Sequence, residues 1–225
     1  MAPLAGLPLV EHVRRRTLAS GVAFRVVVAT DDERIRASLL PFGAEVVMTG
    51  LLASGTHRVA AAAAGCGARI VLNVQGDMPL VDPAHLRAVV AAVDAGADIA
   101  TVAVPLDGDP TDPDVVKVAI GADGDALYFS RLPVPRGGPW WRHVGLYAFR
   151  AEVLADVAAR APSALAQAED LEQLTWLEHG RRIAVHRGTE AALSVDTQAH
   201  LDAVRRSVED RTHPGPAPGT LSDRG

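Results

Sequence analysis

The sequence predicts an α/β protein with a doubly wound, mostly parallel sheet that carries an antiparallel insertion. Three observations lead there. Hydrophobic periodicity alternates between helix and strand over the first hundred residues. Runs such as Phe24–Ala29 (FRVVVA) are β-branched and apolar without alternation, the pattern of a strand covered on both faces. Beyond Val104 the pattern changes. Strands at Val115–Ile120 and Ala126–Ser130 flank Gly121-Ala122-Asp123-Gly124-Asp125, which reads as a hairpin turn.

The remaining elements follow in order. Leu9–Ala19 is a helix closed by Gly21. Asp31-Asp32-Glu33 places acids in the first turn of the next helix, where they suit its macrodipole. Ala44–Met48 is a short strand, Thr56–Ala64 an alanine-rich helix and Arg69–Val74 a strand. Asp82–Val93 is a helix with Asp82 as N-cap and Pro83 at its first position. Ile99–Val104 and Trp141–Phe149 are strands, Ala151–Ala159 and Ala168–His179 helices, Arg182–His186 a strand and Thr197–Glu209 the last helix. Residues 1–209 are expected to form one domain. Residues 210–225 are Pro/Gly-rich and expected to be a disordered tail.

Composition excludes several classes. At 225 residues and 48% hydrophobic, the chain has enough apolar side chain for a sizeable core. A formal net charge of -5, with no Lys/Arg stripe, argues against nucleic acid. The run Arg14-Arg15-Arg16 reads as a solvated helix face. Cys66 is the only cysteine, which excludes disulfide scaffolds and Cys-based metal sites. No apolar run approaches the ~20 residues that span a membrane, and no signal peptide is apparent. A soluble, cytoplasmic protein is expected.

Four constellations could carry chemistry. The run Asn73-Val74-Gln75-Gly76-Asp77 ends an apolar strand on a carboxylate, at the edge of the sheet where open α/β folds bind ligands; a plain Gly-Asp turn is the alternative. Ser194-Val195-Asp196-Thr197 repeats the theme, with helix capping as its alternative. Two carboxylates at two strand ends could hold Mg²⁺ together with phosphates. Ser54-Gly55-Thr56-His57-Arg58 opens a helix and offers free N–H groups, with Arg58 adding charge; an ordinary capping turn would look the same. The fourth comprises Tyr128-Phe129-Ser130-Arg131 and Arg142-His143-Val144-Gly145-Leu146-Tyr147. Arg131 could grip a carboxylate with two prongs, and His143 is either catalytic or a satisfied structural histidine. Asp107-Gly108-Asp109 and Asp123-Gly124-Asp125 spell Asp-x-Asp but sit in turn contexts and are rejected as metal sites.

Together these motifs resemble one family. VVVATDDERI (26–35), MTG (48–50), SGTHR (54–58), NVQGDMP (73–79), TVAVP (101–105), DPDVVKV (112–118), ALYFSRLPVP (126–135), RHVGLYAFR (142–150), LEQLTWLEHG (171–180) and SVDT (194–197) stand in the order seen in 3-deoxy-manno-octulosonate cytidylyltransferases, also called CMP-KDO synthetases. The match runs from about Leu4 to Val204. The resemblance implies a Rossmann-like nucleotidyltransferase fold and usually a homodimer. It implies a reaction that joins CTP to the sugar acid KDO, releases pyrophosphate, depends on Mg²⁺ and serves lipopolysaccharide synthesis. Asp77 and Asp196 would be the catalytic Mg²⁺ carboxylates. Ser54, Gly55, Thr56 and Arg58 would lie at the cytidine, with Gln75 facing sugar or nucleotide. Arg131, His143 and Tyr147 would form the sugar-acid pocket, with Glu172 and Gln173 nearby.

The chain departs from that pattern in places. Met78 and His57 stand where the family has acids, and Ala164-Leu165-Ala166 where it has Pro-Leu-Glu. The opening MAPLAGLPLVEHV aligns just after the family's first strand and basic, glycine-containing phosphate loop. Two expectations stand for that opening: an internal Met1 in a longer reading frame, or an impaired remnant. A transferase for another sugar acid or a phosphonate is the enzymatic alternative.

Overall fold

Capping chemistry sets several helix boundaries. Asp82 accepts from the Ala84 N–H and Pro83 follows at the first helical position, opening a helix over Pro83–Asp94. Asp32 caps Glu33–Leu39 through the Arg34 N–H, and Ser54 caps Gly55–Ala63 through the His57 N–H. The computed structural model describes residues 3–190, 194–195 and 197–212. In chain order these form a short hairpin of β1 (Pro3–Leu4) and β2 (Leu7–Pro8), then α1 (Leu9–Ala19), β3 (Val27–Thr30), α2 (Glu33–Leu39), β4 (Glu45–Met48), α3 (Gly55–Ala63), β5 (Ile70–Asn73), α4 (Pro83–Asp94) and β6 (Ile99–Pro105). They continue with β7 (Lys117–Ile120), β8 (Ala126–Ser130), β9 (Trp141–Arg150), α5 (Ala151–Ala158), α6 (Ala164–Glu169), α7 (Gln173–Glu178), β10 (Ile183–Arg187) and α8 (Gln198–Thr212). No helix among the described residues is long and apolar enough to cross a membrane.

The central sheet runs β10-β6-β9-β7-β8, with β5 also paired to β9. β6 and β10 are parallel, and both β5 and β6 run against β9, so β5, β6 and β10 all point the same way. β7 and β8 form the expected antiparallel hairpin beside β9. Side chains of β6 divide between two cores, as period-2 geometry requires. Ile99 and Ala103 join Phe129, Tyr147, Phe149, Val153, Leu154 and Trp176 on one face. Ala100, Val102 and Val104 join Met78, Leu86, Val89, Val93, Leu146 and Ala148 beneath α4 on the other. Two cores on two faces of one sheet make the fold doubly wound.

The β6–β9 register shifts between Thr101, opposite Tyr147, and Val102, opposite Val144. The Thr101 hydroxyl repairs this irregularity by donating to the Leu146 carbonyl at 2.7 Å.

Three sequence expectations need correction. The helix expected over Ala168–His179 is two helices, α6 and α7, separated where Asp170 takes the left-handed conformation (φ 53°). Arg14 and Arg15 are not simply solvated: both hold the fully buried Glu11 carboxylate at 2.7 Å. The FRVVVA run is not covered on both faces. Phe24 is 88% exposed, and Val26–Ala29 are only half-buried. The reason lies in the pairing: among the described residues β3 pairs with β4 alone, in a separate two-stranded parallel sheet.

Candidate active site

The site begins where β3 and β5 end. Gln75 follows β5, and its side-chain amide donates to Asn73 Oδ1 at 3.3 Å. A Cβ on Gly55 would sit 3.3 Å from Gln75 Oε1, a tight contact to which the glutamine side chain would have to give by a few tenths of an ångström. Gly76 has no such constraint, since a Cβ there would meet only Val10 at an ordinary 3.8 Å. Asp77 is half-buried. Its carbonyl accepts from the Val195 N–H at 2.8 Å, which fastens the Ser194-Val195 segment to the end of the β5 strand. Asp196 lies outside the described residues, but its neighbour is thus anchored beside Asp77.

Arg58, in the first turns of α3, points its guanidinium at the end of β3. It pairs with Asp31 at 3.1 Å and donates to Thr49 Oγ1 at 3.0 Å. Asp31 therefore serves the site, while the helix-capping role falls to Asp32. Arg58, Gly55, Asp31, Asn73, Gln75 and Asp77 all line one cavity of about 640 Å³. Asn73 is 2% exposed, and its Nδ2 makes no hydrogen bond among the described residues. A buried amide donor at a cavity wall is placed to bond whatever fills the cavity, water or ligand. Its signal in the sequence is a polar residue at the end of an otherwise apolar strand.

A second group joins the capping loop of α3 to the start of α7. Glu172 accepts from Ser54 Oγ at 2.7 Å and from Thr56 Oγ1 at 2.5 Å. Since Ser54 gives its proton to Glu172, His57 Nδ1, 2.8 Å from the same oxygen, must be the donor of that pair. Glu172 also acts on Tyr147: burial first, then the Glu172 charge, pushes the phenol well above its usual pKa and keeps it protonated. Gln173 is buried in the same turn.

His143 stacks edge-on to Phe129 at 5.0 Å and tilts against Tyr147 at 5.3 Å. Its Nε2 lies 3.0 Å from Thr101 Oγ1, which is already donating elsewhere, so the imidazole is the donor and Nε2 carries the proton. Burial pushes its pKa down to about 3. Part of the residue remains accessible all the same, a combination that suits a ring at the bottom of a concavity. A neutral imidazole at ordinary pH positions and hydrogen-bonds rather than carrying charge.

Arg131 stands in a different cluster. Its Nε donates to the Glu169 carbonyl at 3.1 Å, Nη1 to the Pro113 carbonyl at 2.9 Å, and Nη2 to Asp170. The Glu169 carboxylate accepts in turn from Ser130 and from the Arg131 N–H. The planar fork is engaged by loop carbonyls, and gripping a substrate carboxylate would require exchanging some of these bonds. Lys117 belongs to none of the constellations read from the sequence, although a lysine inside the run VVKVAI signals a special environment. It is fully buried, and its ammonium donates to the carbonyls of Asp112, Val115 and Arg131 at 2.5–2.7 Å. Desolvation lowers its pKa. Of the two Asp-x-Asp decoys, Asp109 is occupied by Thr111 and Asp125 by Arg182.

A family model described as cytidylyltransferase matches residues 1–183. The chain belongs to the cytidylyltransferase family. Among its relatives, a 3-deoxy-manno-octulosonate cytidylyltransferase of Chlorobaculum parvum is 43% identical, over 94% of this chain and 91% of the relative. The enzyme of the same name from Anaeromyxobacter dehalogenans is 45% identical, over 91% of this chain and 88% of the relative. A solved CMP:2-keto-3-deoxy-manno-octonic acid synthetase complexed with CTP superposes with a TM-score of 0.88 at 32% identity, covering 93% of this chain and 91% of that one. A 4-diphosphocytidyl-2C-methyl-D-erythritol synthase from Anaerococcus prevotii shares the fold at a TM-score of 0.65 and 13% identity.

Proposed function

We propose that this chain transfers the cytidylyl group of CTP to the anomeric hydroxyl of KDO, giving CMP-KDO and pyrophosphate in the cytoplasm for lipopolysaccharide synthesis. The observation that carries the reading is the cavity rim at the ends of β3 and β5. There a half-buried Asp77, a buried amide donor on Asn73, Gln75 and the Arg58 guanidinium face one space. The Asn73 and Gln75 amides offer the donor and acceptor pattern that a cytosine edge requires. Arg58 adds positive charge for a nucleotide that arrives as a polyanion. On the other side, the Glu172 network fixes Ser54, Thr56 and Tyr147, and Tyr147 and His143 offer neutral hydrogen-bonding groups suited to sugar hydroxyls.

Mg²⁺ fits this rim. The donors on offer are carboxylate oxygens, and Mg²⁺ is commonly held by one or two carboxylates together with substrate phosphates. Asp77 would hold it with Asp196, whose neighbour Val195 is hydrogen-bonded to the Asp77 backbone. When bound, the ion would neutralise phosphate charge and ease ionisation of the attacking hydroxyl. Arg131 would contribute to the sugar-acid side by giving up loop contacts, and a homodimer is the expected assembly.

Met78, one of the departures from the family pattern, packs into the core beneath α4 at 4% exposure and does not alter the rim. His57 does join the Ser54 network, so the identity of the acid is the property to test. Pyrophosphate release from CTP should be measured with KDO, another nonulosonate-type acid and a phosphonate. Release with KDO alone is the expected result. Preference for another acid would replace the substrate, and no release with any acid would favour the remnant.

A further inference from the structure

Lys117 is the only lysine among the chain's 22 lysine and arginine residues, and it is fully buried. Its ammonium meets three carbonyl oxygens, of Asp112, Val115 and Arg131, at 2.7, 2.6 and 2.5 Å. Three donors on one compact atom match three acceptors that converge on one point, which a planar guanidinium spread over three nitrogens would not do. A chain that uses arginine for every other such cation keeps an ammonium here. Taking that charge out of water is costly, and what it secures lies outside the sheet. All three carbonyls belong to the loops that flank β7 and β8.

β7 stands between the strands that lead to the two ends of the proposed sugar-acid pocket. On one side Lys117 is in register with Ser130 of β8, the residue before Arg131. On the other it is in register with Arg142 of β9, the residue before His143, and the His143 N–H donates to the Val116 carbonyl at 2.8 Å. Arg131 is tied to this junction twice. Its carbonyl accepts from the Lys117 ammonium, and its Nη1 donates to the Pro113 carbonyl at 2.9 Å, within the 112–115 segment that the same ammonium holds. To turn towards a carboxylate, the guanidinium must release some of its loop partners. The bonds from Lys117 to the Arg131 carbonyl and from the Arg131 N–H to Glu169 do not involve the guanidinium. They keep the root of the side chain in place while the fork turns.

We infer that Lys117 is a positioning residue for the sugar-acid side of the site: it fixes the root of Arg131 against β9 and thereby sets the distance at which the guanidinium and His143 face one substrate. Its effect falls on the acid and not on CTP. Arg58 and Gln75 are held instead by Asp31, Thr49 and Asn73, none of which bonds the ammonium. This role depends on Arg131 meeting the sugar acid, as proposed above, and the experiment separates the two statements.

Lys117→Met keeps most of the side chain's length and removes its donors. KM for KDO should rise about tenfold or more, while KM for CTP stays within about twofold. Arg131→Gln should raise KM for KDO by itself. Adding Lys117→Met to it should raise that KM by less than about twofold further, because both substitutions remove the same contact. Multiplicative effects in the double variant, an equal rise in both KM values, or a lower melting temperature with unchanged KM values would each overturn the positioning role. An Arg131→Gln variant with unchanged KM for KDO would instead remove Arg131 from the pocket, and the role of Lys117 with it. A measurement on the parent chain covers the case in which Lys117→Met does not fold. With lysine isotopically labelled at Nζ, the chain gives a single side-chain resonance. That resonance should shift on saturation with KDO, stay in place with CTP, and lose the KDO shift in Arg131→Gln. A resonance that ignores KDO, or one that moves equally in Arg131→Gln, would overturn the assignment.

Discussion

β6 and β3 have sequences of the same character, IATVAVP and VVAT, and opposite fates. β6 lies between β10 and β9 with helices on both faces, and Ile99, Val102 and Ala103 are fully buried. Among the described residues β3 has one neighbouring strand, with a cavity beside it, and none of Val27, Val28 and Ala29 reaches full burial. What differs is not propensity but the company each strand keeps. The molecule accordingly divides into a closed half, built on β6, β9 and β10, and an open half, built on β3, β4 and β5. Asp31, Arg58, Gln75 and Asp77 lie on the open half, and His143, Tyr147 and Glu172 lie on the closed half.

Substitutions can sharpen or break that division. The largest effect is expected at Asp77, where the halves meet. Asp77→Asn removes charge without removing volume, and kcat for pyrophosphate release should fall about a thousandfold or more with little change in melting temperature. Near-normal turnover would place the chemistry elsewhere. Next comes Phe149→Ala in the closed half. Phe149 is fully buried against Trp176 at 5.3 Å, and its loss should cost about 3–5 kcal/mol in urea unfolding.

His143 should then reveal itself through pH. Its folded pKa of about 3 lies below the unfolded value near 6.5, so the unfolded chain binds the extra proton. Its contribution is present above about pH 6.5 and is lost as pH falls towards 3, by at most ~1.4 kcal/mol per unit. His143→Gln should flatten that part of the stability profile, and a parallel profile would show that the ring is not held neutral. The smallest effect is expected for Val28→Ala. With only partial burial to lose, it should cost under about 1 kcal/mol. A cost as large as that of Phe149→Ala would mean that the open half is packed in solution, and the division would fail.

Much of the fold was legible because its signals are local. Asp82-Pro83, Asp32 and Ser54 announce their helices, and Gly121–Asp125 announces its hairpin. The place of β9, antiparallel between β6 and β5, was not legible, since strand pairing joins residues dozens of positions apart. Nor was the break at Asp170, where a single non-glycine residue adopts a left-handed conformation inside a helix-like pattern. In the site, Gln75 and Asp77 stood out as polar residues closing an apolar strand. The bonds from Ser54 and Thr56 to Glu172 span 118 and 116 residues, and no spacing rule reaches that far. Arg131 was recognisable as a planar cation, but its partners Pro113, Glu169 and Asp170 come together only in three dimensions.

Lys117 also governs how the loop around Arg131 can move. Its ammonium holds carbonyls from Asp112, Val115 and Arg131 with no solvent to replace them. Pulling any one of the three away would leave a buried cation short of a partner, at a cost comparable to breaking a charge-assisted hydrogen bond, about 1.5–3 kcal/mol. The 112–115 segment and Arg131 are therefore riveted into a single mechanical part. They can swing together about their flanking residues, but neither can slide past the other, and a protease would find the two ends of that part released in the same event.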